Sequence, residues 1–324
     1  MHLSSKPKVV IISSKIGLYG KGLGMKKKLL FVYNPHSGKE KIKTKLSDII
    51  ESFISAEFEV TIYSTRGKGD ATKIVYECCQ ETEYDVVACS GGDGTLNEVI
   101  SGIMMLEKRP KVGYIPSGTT NDFSTSLKIY KDMGKAATTI ADGKLFPCDI
   151  GGINERFFTY VVGFGAFTDV SYETSQAAKN TLGRIAYILE GAKRLTSLKS
   201  YHIVLEYDGN VIEDDFIYGM ISNSESVGGF KLMGKREVSL DDGLFEIFLI
   251  RMPKNLIDLQ SILNSLLMEK ENDKFIFTAS TNEVTLHSSE PISLALDGEF
   301  GGVYEDIKIK NYEKAVEFLV PNED

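Results

Sequence analysis

Three short stretches carry residue types suited to holding phosphate: Asn34-Pro35-His36-Ser37-Gly38-Lys39, Ser90-Gly91-Gly92-Asp93-Gly94-Thr95 and Pro116-Ser117-Gly118-Thr119-Thr120-Asn121-Asp122. Each comes after an apolar run. Glycines let a backbone come close to a ligand, and main-chain N–H groups at a helix N-terminus attract anionic oxygens. Asp93 inside such a nest would repel phosphate unless a cation stood between them, so its presence implies a Mg²⁺ link. Each stretch also has a plainer reading: Asn-Pro and Ser-Gly are common turn dipeptides, and Thr95 can cap a helix. Three of them together favour a nucleotide site. The familiar fingerprints are missing, with no G-x-x-x-x-G-K-[ST], no G-x-G-x-x-G after a strand, and no H-R-D with D-F-G.

Two acidic turns lie downstream. Leu296-Asp297-Gly298-Glu299 is either a hairpin turn or a carboxylate aimed at a reacting hydroxyl as general base. Ser239-Leu240-Asp241-Asp242-Gly243-Leu244 is either a turn or a source of oxygen ligands for a hard cation. The four histidines, His2, His36, His202 and His287, form no metal-ligand or triad pattern.

Alternating strands and helices must position the first three loops. Leu29–Tyr33 is an apolar run stopped by Asn34-Pro35, and Ile42, Leu46, Ile49, Ile50, Phe53 and Ile54 recur at helical spacing. Phe58–Tyr63 alternates as a strand, and Ala71, Ile74, Val75, Cys78 and Cys79 return to the helical period, which makes that cysteine pair packing rather than chemistry. Asp85–Cys89, a helix through Leu96, Val99, Ile100 and Ile103, and Val112–Ile115 complete an α/β pattern with a parallel sheet. Ligands of such sheets bind beyond the carboxyl ends of the strands, where the three loops fall.

After Asp149 the pattern changes to closely spaced strand-like runs: 157–167, 201–207, 211–222, 244–251, 274–279, 283–287 and 292–296. Helical interruptions are expected at 176–195 and 255–268. This half reads as an antiparallel β-sandwich or barrel. The expected division is 25–147 with a returning segment 304–324 as one domain and 148–303 as the other. Residues 1–24 read as an extension foreign to the fold, because Met25 and three lysines lead directly into the first strand.

The chain has 324 residues, 42% hydrophobic and 25% charged, with a net charge of −8. Residues 1–39 hold eight lysines and no acid, so the remainder stands at −16. An acidic body excludes a general nucleic-acid binder, which needs a basic face. The four cysteines show no C-x-x-C spacing, which excludes a zinc site and fits a reducing cytoplasm. The longest uncharged run, twelve residues from Phe157 to Thr168, is too short to span a bilayer.

Taken together, N-P-x-S-G at 34–38, G-G-D-G-T-L-N-E at 91–98, G-T-x-N-D-F at 118–123 and L-D-G-E at 296–299 resemble the diacylglycerol-kinase catalytic family in its small soluble bacterial branch. G-G-D-G alone is shared with NAD kinases and phosphofructokinases; the four motifs in this order are specific. The resemblance spans residues 25–324. It implies an α/β nucleotide domain of the NAD-kinase and diacylglycerol-kinase type, a C-terminal β-sandwich, an active site between them and a homodimer. ATP would contact Asn34, Pro35, His36, Ser37, Gly38, Thr65, Gly91, Gly92, Asp93, Gly94, Thr95, Leu96, Asn97 and Thr119, with Lys39 as a charge partner for phosphate. Asp93 would act through Mg²⁺. In the L-D-G-E motif Glu299 would be the proton acceptor, with Asp297 beside it in the catalytic set. Ser239, Asp242 and Leu244 would hold a second, structural Mg²⁺, Ser239 and Leu244 through carbonyl oxygens. The implied reaction is ATP-dependent phosphorylation of a lipid hydroxyl, diacylglycerol to phosphatidic acid, peripheral to the cytoplasmic face of the membrane. The family pattern continues after N-D-F with a small residue and an arginine, where this chain has Ser124 and Thr125; that departure bears on acceptor choice. An NAD kinase and a catalytically silent lipid- or nucleotide-binding regulator are the competing readings.

Overall fold

The computed structural model describes residues 10–12, 26–165, 198–223, 226–227, 230–231, 239–268 and 272–322, without the side chains of residues 10–12, 39, 226–227, 230–231 and 267. The chain divides into two compact units, residues 1–148 with 315–324, and residues 149–314.

In the first unit, strands β1 (Val10–Ile12), β2 (Lys28–Tyr33), β3 (Glu59–Ser64), β4 (Val86–Gly91) and β5 (Lys111–Pro116) alternate with helices α1 (Ile42–Ser55), α2 (Asp70–Glu81), α3 (Asp93–Met104), α4 (Asp122–Ser126) and α5 (Met133–Asp142). Strands β2 to β5 pair in parallel in the order β3-β2-β4-β5, with Leu30 opposite both Thr61 and Val87, and Val87 opposite Val112. Leu29, Leu30, Phe31 and Val32 are all fully buried, as a central strand covered on both faces requires. The helical spacings are realised by buried Ile49 and Phe53 on α1, Ile74 and Val75 on α2, and Val99, Ile100 and Ile103 on α3. Cys78 and Cys79 are half-buried, and burial pushes both thiols up, Cys79 to about 12, so they stay protonated and unreactive. Parallel pairing collects the loops after β2, β3, β4 and β5 at one edge of the sheet.

The sequence sets residues 1–24 apart from the fold, yet Val10–Ile12 pair antiparallel with the outer edge of β3, Val10 opposite Ile62. Three consecutive β-branched residues suit an edge strand. The rest of that segment lies outside the described residues.

The second unit is antiparallel. It holds the end of β6 (Lys144–Ile153), β7 (Arg156–Phe158), β8 (Val161–Gly165), β9 (Tyr201–Tyr207), β10 (Asn210–Ser222), the short pair β11 (Ser226–Val227) and β12 (Phe230–Lys231), β13 (Phe245–Arg251), α6 (Leu256–Met268), β14 (Ile276–Thr281), β15 (Glu283–Leu296) and β16 (Glu299–Val320) as far as Lys314. Two long strands organise it. One half of β10 and of β15 flanks β9, and the other half of each flanks β8. Phe164, Leu205, Phe216 and Leu294 from these arms share one apolar core with Phe245 and Ile247 of β13. On the outer side, Ile262, Leu263 and Leu266 of α6 pack on Met220, Phe248 and Ile250.

Three sequence boundaries move. Residues 283–287 and 292–296 are one strand, whose register shifts between His287 and Ile292 because Pro291 has no N–H to give. The run 157–167 is broken at Thr159-Tyr160; its end beyond Gly165, like the helix expected at 176–195, lies outside the described residues. The return to the first unit begins at Ala315 rather than near residue 304, because β16 stays paired with β15 through Lys310.

The returned end of β16 closes the first unit: Phe318 lies parallel and opposite Val112, is fully buried, and meets the Phe123 ring edge-on at 5.5 Å. Phe318→Ala is expected to cost about 3–5 kcal/mol of stability, read as a lower urea midpoint; a loss under about 1 kcal/mol would show that this strand is dispensable.

Candidate functional site

The loop edge of the first unit is fused by main chain. A β-carbon on Gly38 would stand 1.8 Å from the Ser117 carbonyl oxygen, and its φ of +49° is itself a glycine conformation. A β-carbon on Gly118 would stand 2.5 Å from the Gly92 α-carbon. The first, third and fourth loops therefore touch backbone to backbone. The Gly91 carbonyl accepts from the amides of Ser117 (2.9 Å) and Gly118 (3.2 Å), and the Tyr114 hydroxyl is 3.2 Å away. Burial, followed by the Asp93 charge, pushes the Tyr114 phenol well up, so it remains a neutral donor.

Asn121 locks the fourth loop. It adopts φ +54°, its side-chain oxygen accepts from Gly118 N at 2.9 Å, and its amide donates to the Gly118 carbonyl at 2.9 Å. The Asp93 carboxylate, in the first turn of α3, accepts from the main-chain amides of Asp122 (3.2 Å) and Phe123 (3.4 Å). The acid at the centre of the glycine nest is thus aimed at the start of α4. Further along α3, Glu98 accepts from Gly69 N (2.6 Å) and Ala71 N (3.1 Å), which ties the loop after β3 to the same helix. In that loop Thr65 is buried and its N–H donates to the Tyr33 carbonyl at 2.9 Å.

Most nucleotide residues read from the sequence gather here. Asn34 donates to Thr95 Oγ1 at 3.3 Å and accepts from His36 N at 2.9 Å, Ser37 is buried beside Gly38, and Thr119 is exposed in the fourth loop. Pro35 and Gly94 fall in the same turns, and Asn97 one helical turn on. The Leu96 side chain does not join them: it is fully buried in the core, leaving only its N–H, which donates to the Gly92 carbonyl at 3.1 Å. The Lys39 side chain lies outside the described residues. The sequence does not show Asn121 as a lock or the tether made by Glu98; the αL-tolerant Asn121 was the signal available.

The second unit has a candidate hairpin of its own. Asp297 (φ +47°) and Gly298 (φ +83°) form the two-residue turn between β15 and β16, as a primed turn requires. The Asp297 carboxylate is buried and accepts from Thr159 N (2.6 Å), Thr159 Oγ1 (2.8 Å), Tyr160 N (3.0 Å) and Val161 N (3.0 Å). Burial pushes this carboxyl above its ordinary range, and the four donors oppose the shift. Both oxygens are taken by the 159–161 segment, so the Asp297 carboxylate fastens the hairpin to that segment. The side chain it presents is Glu299, exposed at the first position of β16.

In the same unit, Asp149 is fully buried and gathers the 239–244 turn. It accepts from Gly243 N (2.7 Å), Lys314 N (2.7 Å) and Asn311 Nδ2 (3.4 Å), while its own N–H donates to the Leu240 carbonyl (2.7 Å). Desolvation raises this carboxyl and those amides pull it down. Asp242 accepts from Leu244 N at 3.0 Å, and Ser239 donates to Asp241. Among the described residues no group of three His, Cys, Asp or Glu side chains could hold a metal. A cation here would rest on the Asp242 carboxylate and carbonyl oxygens. The buried Asn311 Oδ1 has no hydrogen-bond partner, and its amide lies 3.0 Å from the Leu244 carbonyl. An orphaned oxygen on the side chain that bonds that carbonyl fits a hard-cation neighbourhood.

Comparison with known proteins gives the family. The model of the diacylglycerol kinase catalytic domain matches residues 28–153. The diacylglycerol kinase of Bacillus subtilis (strain 168) is 34% identical over 298 residues, 92% of this chain and 97% of that one. The diacylglycerol kinase of Staphylococcus carnosus (strain TM300) is 36% identical over 280 residues, 86% and 90% of the two chains. A crystal structure of a diacylglycerol kinase from Bacillus anthracis str. Sterne superposes with TM-score 0.70 at 25% identity, covering 92% of this chain and 98% of that one. A second structure from that strain gives TM-score 0.76 at 27% identity, over 91% and 97%. The molecule is therefore an enzyme of the lipid-kinase class. Within that class the chain belongs to the diacylglycerol kinase family.

Asp297→Asn would turn an amide nitrogen toward main-chain donors. The expected loss is about 1–3 kcal/mol for the unsatisfied donors, measured by thermal or urea unfolding. Unchanged stability would mean that the four bonds at Asp297 do not hold the hairpin.

Proposed function

We propose that the protein transfers the γ-phosphate of ATP to a hydroxyl of a membrane lipid, with diacylglycerol as acceptor and phosphatidic acid as product, in phospholipid metabolism. The observation that carries this reading is the glycine-fused loop edge at the start of α3, with Gly38 against Ser117 and Gly118 against Gly92. Main-chain amides there can approach a triphosphate with no side chain in the way, and the helix dipole favours the anion. On this reading the first unit binds nucleotide through residues 34–38, Thr65, residues 91–97 by main chain at Leu96, and Thr119, and the second unit supplies the acceptor site.

Mg²⁺ fits two sets of oxygens: Asp93 in the nest, and Asp242 with the Ser239 and Leu244 carbonyls. Bound at Asp93 it would supply charge stabilisation for the phosphates; bound at the 239–244 turn it would stiffen the loop anchored by Asp149. The chain's own residues carry the rest. Glu299, held forward by the Asp297-Gly298 turn, takes the proton of the lipid hydroxyl as that oxygen attacks the γ-phosphorus, and the bond to the ADP oxygen breaks. Among the described residues no helix is long and apolar enough to cross a membrane, so this reading has the lipid met at the bilayer surface.

Transfer of labelled γ-phosphate from ATP to lipids in mixed micelles, with NAD as a competing acceptor, tests the reading. Label is expected in diacylglycerol, with Glu299→Ala lowering turnover about 10²–10⁴-fold while ATP binding is kept, and Asp93→Ala abolishing transfer. Label in NAD alone would support the NAD-kinase reading, and ATP binding without transfer to any acceptor would support a silent regulator.

A further inference from the structure

Helix α6 is unusual on the side it turns to solvent. In thirteen residues, Leu256–Met268, its only charged side chain is Asp258. That acid is buried, accepts from Lys254 N at 3.2 Å, and pairs with Lys274 Nζ at 3.2 Å. The inner face is fixed to the sheet by Leu259, Ile262, Leu263 and Leu266. The described outward side chains are Leu256, Ile257, Gln260, Asn264 and Met268. Leu256 is 63%, Ile257 81% and Met268 61% exposed, and Gln260 donates to Asn264 at 3.0 Å, each amide thereby satisfying part of the other. In a chain with 25% charged residues, a solvent-facing helix side without one charge is out of character.

We propose that this face of α6 is the surface by which the protein rests on an anionic lipid bilayer, with Leu256 and Ile257 entering the acyl boundary. The inference rests on the lipid-kinase reading, which requires the enzyme to reach a lipid without a spanning helix. Charge favours this occupant. Exposed Lys254 stands two residues before the Leu256-Ile257 tip, and exposed Lys274 pairs through Nζ with Asp258 just after it, whereas the body of the chain beyond residue 39 stands at −16. With Asp258 set against Lys274, these groups leave one excess positive charge beside an apolar tip, which an anionic headgroup layer attracts, while the apolar side chains supply the rest of the contact. Area argues against a second copy: three exposed apolar side chains fall short of the roughly 800 Å² per partner that a stable dimer buries. A few inserted side chains suffice for weak, reversible membrane contact, which suits an enzyme that must leave its product behind.

The chain contains no tryptophan, so Ile257→Trp creates a single reporter. With vesicles of phosphatidylcholine and phosphatidylglycerol its emission is expected to shift to the blue and to be quenched by acyl-brominated lipid. Ile257→Glu should lower vesicle partition tenfold or more, with transfer to a monomeric short-chain diacylglycerol kept within about twofold. Val211→Glu, at a side chain 63% exposed on β10, should leave partition unchanged. Emission that stays unshifted while the protein sediments with vesicles would overturn the proposal. So would an equal loss in Val211→Glu, or an Ile257→Glu variant that converts a larger species into a smaller one, since the face would then cover a second copy. A blue shift with no transfer to any lipid would leave this surface standing and remove the kinase reading instead.

Discussion

Backbone contact between loops is the constraint on which the first unit depends. The Ser117 carbonyl oxygen occupies the space where a side chain on residue 38 would begin, and the Gly92 α-carbon occupies that of residue 118. Such contacts are possible only where parallel strands end at one edge and their loops lack β-carbons. The cost is conformational freedom lost by several glycines, and it is offset by fixed hydrogen bonds: three donors surround the Gly91 carbonyl, and Asn121 closes a two-way bond with Gly118. The outcome is a loop edge fixed by its own backbone bonds, and on the proposed reading that fixity lowers the ordering cost of binding nucleotide.

The second unit solves a related problem with a buried charge. A carboxylate inside a protein is costly unless every lone pair is used, and Asp297 uses its own on three amides and a hydroxyl of one segment. The same bonds break the strand between β7 and β8 and hold the turn that presents Glu299. Asp149 repeats the device under the 239–244 turn. In both places a buried acid holds a turn through main-chain amides.

Much of the first unit was legible because its signals are local. Helical spacing picked out the inward faces of α1, α2 and α3, and Asn34-Pro35 and Gly91-Gly92 marked strand ends. Partners distant in sequence were invisible. Nothing near Glu98 announces that it reaches Gly69 and Ala71, and nothing near Asp297 points to residues 159–161. The second unit was harder for the same reason. The bulge at Pro291 reads locally as a strand end, and only pairing on both sides makes β15 a single strand. At Leu96 the motif says nothing of the side chain, which fills an ordinary core position of α3.

The most direct test of the central claim is amide hydrogen exchange of the full chain with and without a non-hydrolysable ATP analogue and Mg²⁺. New protection is expected to concentrate at residues 34–38, 91–95 and 117–121, the amides of the fused loops. Protection confined to residues 149–314, or saturating nucleotide with no change in those three stretches, would contradict it.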